Sequence, residues 1–167
     1  MIKASSYKTP VSIIESLSYL INVLRTEKHK YENAATAVND SQFSQSIGVL
    51  AQENNQYECE LASQLTMLGA TLDSAGESEQ VTTNFNPEHS AENLVDLAQQ
   101  LLLFCRESEK QLIHAYRRTL NEPFLPEGLR TLIRKQLNGI LYAFLQLKLF
   151  SSTGFFHHGA SGFSSLH

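Results

Sequence analysis

Apolar residues recur every three or four positions along four stretches of this chain, and polar or turn-forming residues separate the stretches. The first runs Ile13, Leu17, Leu20, Leu24, Tyr31, Ala34 and Val38. Thr9 and Pro10 read as an N-cap and first helical residue before it, and Ser12 with Glu15 offers a capping box as a second start. Asn39, Asp40 and Ser41 are cap and turn formers, and the period resumes at Phe43, Ile47, Leu50, Tyr57, Leu61, Leu65 and Leu68. So short a connection implies antiparallel neighbours. Gly69 is placed to end the second helix with a left-handed residue.

From Ala70 to about Asn86 the period is lost among serines, threonines and acids, so a long loop is expected. At up to roughly 3.3 Å per residue it can run the length of a helix of about 25 residues. Both a crossover and a slack link between antiparallel helices are therefore open. The third helix starts at Asn86-Pro87 or Ser90, follows Leu94, Ala98, Leu101, Cys105, Leu112 and Tyr116, and stops at Asn121 and Pro123. Pro126 and Glu127 open the fourth, with its seam at Leu129, Ile133, Ile140, Phe144 and Leu147.

The expected architecture is all-α: one four-helix domain over residues 1–150, with helices at about 10–39, 42–68, 88–120 and 126–150. Residues 151–167 read as a Gly/Ser/Phe/His tail. Each helix has one odd polar slot on its apolar line, at Glu27 or Lys28, Asn54, Ser108 and Gln136. All fall near helix centres, which predicts one polar layer across the bundle. Leu137, Leu141, Tyr142, Leu145 and Leu149 add apolar surface beside the fourth seam, to be covered by the tail or by a second copy in a dimer.

Charge and composition narrow the function without naming it. A net charge of -4 gives no electrostatic reason to expect nucleic acid or an acidic membrane as partner. The basic residues Arg117, Arg118, Arg130, Arg134 and Lys135 have acids nearby and read as a solvated face. The start, MIKASSYKTP, lacks the apolar core of a signal peptide, and no run reaches bilayer length, so a cytoplasmic location is expected. Cys59 and Cys105 lack metal or redox spacing and read as buried free thiols. His114 reads as a surface residue. No nucleophile elbow or phosphate loop occurs.

These motifs resemble a bacterial ferritin-like four-helix family of unknown function. The resemblance covers about Ile13 to Phe150. It rests on Leu20-Ile21, Tyr31 and Ala34-Ala35, then on Glu60-Leu61 and Leu68-Gly69. It continues through Cys105, Glu109, Ala115-Tyr116-Arg117 and Leu120 to Leu125-Pro126, Leu129-Arg130, Gln136 and Gly139. Active ferritin-like proteins hold two metal ions with carboxylates from four helices, including two Glu-x-x-His pairs.

This chain has no Glu-x-x-His: Glu53 is followed at that spacing by Gln56, Glu32 by Ala35, Glu107 by Lys110 and Glu109 by Leu112. Lys28 and His29 stand where family members carry acids, and Phe144 where they tend to carry histidine. Glu60 and Glu109 match the family pattern. The reading favoured by the resemblance is a non-catalytic bundle without cofactor, acting through self-association as a dimer or through a protein partner, in a stress or storage setting. Two alternatives stand beside it: iron or manganese bound by Glu32, Glu53, Glu60 and Glu109, and a carrier of a small apolar ligand.

Overall fold

The computed structural model describes residues 10–71, 85 and 94–159. The Thr9 cap, the start of the third helix and residues 160–167 lie outside them. Among the described residues the chain is all-helical: α1 spans Val11–Ala37, α2 Ser41–Met67, α3 Leu94–Leu120 and α4 Glu127–Gly159. α4 thus runs past the expected end at 150, and the first part of the segment read as a tail is helix. Glycine and serine lower helix propensity without forbidding a helix, so composition was a weak guide there.

The ends follow local chemistry. Pro10 occupies the N-cap position of α1 with no side-chain cap, and Ser12 donates to Glu122 at 3.0 Å instead of closing a capping box. Asp40 caps α2, its carboxylate accepting from the Gln42 and Phe43 amides at 3.0 Å each. Gly69, at φ 82°, ends α2: its amide donates to the Thr66 carbonyl and the Ala70 amide to the Leu65 carbonyl. This paired bond set requires a left-handed residue at the glycine. At the far end of α3, Arg130 reaches back from α4 and donates to the Leu120 carbonyl at 2.5 Å and the Glu122 carbonyl at 3.0 Å.

The helices form a ring of neighbours, α1 touching α2 and α3, and α4 touching the same two. Between α1 and α2, Ala35 meets Ser44, Lys28 meets Asn55 and Arg25 meets Glu58. Tyr31 meets Phe104, Glu27 meets Ser108 and Tyr19 meets Arg118 between α1 and α3. Lys148 binds Glu109 and Gln136 binds Tyr116 between α4 and α3, while Gln136 meets Glu60 and Phe150 meets Phe43 between α4 and α2. The interior is lined by Leu17, Leu20, Leu24, Ile47, Leu61, Leu65, Leu112, Ile133 and their apolar neighbours. Burying each such leucine or isoleucine contributes about 1.5–3 kcal/mol, which is what holds four separately amphipathic helices together.

Candidate functional site

The four odd slots, Glu27, Asn54, Ser108 and Gln136, are all buried, but they divide between two centres at different heights. The first centre is built on Glu27, 2% exposed, at the middle of α1. Ser108 Oγ of α3 donates to one carboxylate oxygen at 2.5 Å, and Lys30 Nζ donates to the other at 2.8 Å. A buried carboxylate needs such charge-assisted donors, and Lys30 supplies them by laying its stem inward from the rim. The hydroxyl of Tyr31 lies beside this group. Burial first, and then the Cys105 thiol, raise its pKa well above the ordinary value, so it stays a neutral phenol. Ser108 beside the hydroxyl offsets part of that rise, and Asn54 Nδ2 of α2 is buried with no protein hydrogen-bond partner.

Gln136 belongs to the second centre. Its Oε1 accepts from the Tyr116 hydroxyl at 3.0 Å, and its Nε2 donates to Glu60 at 2.8 Å. Tyr116 lies eight residues beyond Ser108 on α3, about 12 Å of helix, which separates this centre from the first. The other Glu60 oxygen accepts from Gln56 Nε2 at 3.0 Å, and the Tyr57 hydroxyl donates to Glu53 at 2.6 Å. Burial raises the Glu53 pKa, partly offset by that bond. Burial also raises the pKa values of Tyr57 and Tyr116. Gly139 of α4 makes the approach possible: a side chain there would collide with the Tyr57 hydroxyl.

Lys28, expected in a polar layer with the odd slots, sits at the rim instead. It donates to Glu58 at 2.9 Å and to Asn55 at 3.2 Å, while Arg25 Nε donates to the other Glu58 oxygen at 2.8 Å. Burial pushes the Glu58 carboxyl up, but the bonds from Lys28 and Arg25 outweigh it and hold the pKa below the ordinary carboxylate value. Glu58 carries no mark in the apolar line of the sequence. The signal available was its spacing, four residues after Asn54 and seven after Ala51, both buried.

Of the four carboxylates considered for iron or manganese, Glu53 and Glu60 share the Gln136 centre, and Glu32 and Glu109 stand apart from it. Glu32 is exposed and pairs with His29 at 3.0 Å. Glu53 is held by Tyr57, Glu60 by Gln136 and Gln56, and Glu109 by Lys148 at 3.0 Å. Among the described residues, no group of three His, Cys, Asp or Glu side chains comes together that could hold a metal ion. Cys105 is buried, and burial, followed by Glu109, pushes its thiol up to about 12, which leaves it protonated and unreactive. Cys59 is exposed, contrary to the expectation of a buried thiol, because it shares the outer face of α2 with the exposed Asn55 and Gln56.

The remaining features are on the surface. His114 is exposed, as expected. Of the basic residues, Arg118 lies 4.3 Å over the Tyr19 ring, and Arg130 is bound to the end of α3. An open groove between α1 and α2 is lined by the polar Glu32, Thr36, Ser44, Gln52 and Asn55 together with Ala35, Gly48 and Ala51. No helix among the described residues is long and apolar enough to cross a membrane. No protein-family model, curated protein or solved structure matches the chain.

Proposed function

We propose that this chain is a non-catalytic ferritin-like bundle that acts by pairing with a second copy of itself, in the cytoplasm. The observation that carries the reading is an apolar stripe on the outer side of α4: Leu141, Tyr142, Leu145 and Leu149 are 39%, 64%, 52% and 51% exposed. The other large exposed apolar residues, such as Val11, Val49, Met67 and Phe124, are scattered singly over α1, the length of α2 and the turn before α4. A contiguous stripe implies a covering partner where scattered residues imply none. Its spacing favours a twofold partner: Leu141 and Leu149 are equally far from Leu145 along the helix. An α4 packed antiparallel on its copy would set Leu145 against Leu145 and Leu141 against Leu149.

The ferritin-like part of the proposal draws on the order of the contacts. Within each neighbouring pair of helices, residue numbers rise on one helix as they fall on the other, which supports antiparallel packing of α1 with α2 and α3, and of α4 with the same two. With α2 and α3 both opposed to α1, the two run parallel to each other, as they do in the long-crossover arrangement of ferritin-like folds. The iron or manganese reading has less behind it, since the four carboxylates face different partners.

Sedimentation of the full chain tests the pairing. Wild type is expected to sediment as a dimer at micromolar concentration and Leu145→Glu as a folded monomer with unchanged helical content. A monomeric wild type overturns the proposal, and so does a Leu145→Glu chain that remains dimeric.

A further inference from the structure

Gly48 stands inside α2 without a reason in the packing of the helices. Its φ is not positive, and no atom lies within 4 Å of the place where a Cβ would be. A glycine within a helix costs stability relative to alanine, and where no turn or tight contact requires it, the remaining use is to let something approach the backbone closely. The space beside it is the groove between α1 and α2, a cavity of about 590 Å³. That size falls within the roughly 300–1,000 Å³ of small-molecule sites. Its lining residues are on α1 and α2, so pairing through the α4 stripe leaves it free.

The antiparallel register places its parts. The Ser44 hydroxyl donates to the Ala35 carbonyl at one end of the groove, and Lys28 donates to Asn55 at the other. Glu32 on α1 and Gly48 on α2 fall between these two crossings, so the carboxylate and the glycine share the middle. Ala35 and the buried Ala51 add apolar surface there. Bonds between the helices at both ends suit a molecule of limited length rather than a chain passing through.

The capacity the lining has to spare is mostly that of an acceptor. Glu32 is its one ionised residue, and with Oε2 held by His29 the other carboxylate oxygen has no partner among the described residues. The Thr36 and Ser44 hydroxyls spend their hydrogens on backbone carbonyls, which leaves their oxygens able to accept. The basic groups close by are already engaged, Lys28 with Glu58 and His29 with Glu32 itself. An anion therefore finds no free cation, and a wholly apolar molecule leaves the carboxylate unanswered. A cation with N–H donors on a short apolar stem answers both surfaces.

We infer that the groove binds a free aliphatic amine, its ammonium group on Glu32 and its carbon stem along Ala35 and Ala51, where Gly48 clears the way. Titration of the full chain with hexylamine at pH 7, followed through backbone amide shifts, tests the inference. Wild type is expected to show saturable shifts centred on Gly48 and Ala51, and hexanol and hexanoate, which keep the stem without the cation, to show none over the same range. Glu32→Gln should weaken binding about fivefold, as loss of a half-exposed ion pair implies. Gly48→Leu, whose side chain enters open space, should abolish binding with helical content unchanged. The inference is overturned by a wild type that does not saturate, by hexanol binding as tightly as hexylamine, or by either variant binding like wild type. A blocked lysine, carrying the same head and stem on a peptide backbone, that binds more tightly than hexylamine would assign the groove to a protein side chain and overturn the free-amine reading.

Discussion

The two buried polar centres use similar side chains and differ in closure. Around Gln136, the amide answers Tyr116 on one side and Glu60 on the other, and Glu53 answers Tyr57. Around Glu27, the carboxylate is answered by Ser108 and Lys30, but the buried Asn54 amide nitrogen on α2 has no protein partner. The difference teaches where the bundle is rigidly specified by its own side chains and where it leans on something else. A closed network fixes the relative height of α2, α3 and α4, because a shift of any helix strands a donor or acceptor. The open centre imposes no such condition on α2.

Breaking the closed centre should have the largest effect. Gln136→Leu leaves the Tyr116 hydroxyl buried without its acceptor and removes a bond from Glu60, for an expected loss of about 2–3 kcal/mol in urea unfolding. Asn54→Leu, at the open centre, should cost far less in the same assay, and equal losses would abolish the distinction between the centres. Gly139→Ala drives a methyl group into the Tyr57 hydroxyl, for about 1–3 kcal/mol. That loss should shrink when Tyr57→Phe is combined with it, which a double-mutant cycle measures.

The rim supplies a third reference. Glu58, with its pKa held down by Lys28 and Arg25, contributes stability that is fully present above the unfolded-state value near 4.5 and is lost as pH falls through the lower folded value. Glu58→Gln should cost about 1–2 kcal/mol at pH 7, discounted because Arg25 is partly exposed. Unfolding followed from pH 7 down to about 3 should show a flatter acid limb in the variant. The smallest contrast is the sharpest: Tyr116→Phe should cost about 1 kcal/mol, and Tyr31→Phe less than about half of that. Thermal melts of the pair decide it, and a Tyr31→Phe cost matching that of Tyr116→Phe would break the comparison.

The helices were legible because their causes are local. The three- and four-residue spacing, Asp40 before α2, Gly69 after it and Pro126 before α4 each act through the chain within a few residues, and each appears in the fold. The odd slots were legible too, since a polar residue on an apolar line is buried wherever that line is. Their grouping was not. Whether Gln136 meets Ser108 or Tyr116 depends on how far α4 slides along α3, and periodicity within a helix carries no record of its neighbour's height. For the same reason Lys28 and Glu27, adjacent in sequence, were interchangeable on paper and are opposite in fact: Glu27 faces the interior and Lys28 the rim. Glu58 leaves no trace in the sequence because a charged residue is expected outside, and the two cations that admit it come from another helix.

Arg130 has a consequence for the order of assembly. Its two bonds close a bend of eight and ten residues between α3 and α4, whereas Ser108 and Glu27 are 81 residues apart in sequence. Short loops cost little entropy to close and long ones more, so the α3–α4 hairpin is expected to form early and the α1–α3 seam late. A side chain that looks like a mere terminus cap would then act as a kinetic latch, in place before the interior it borders exists.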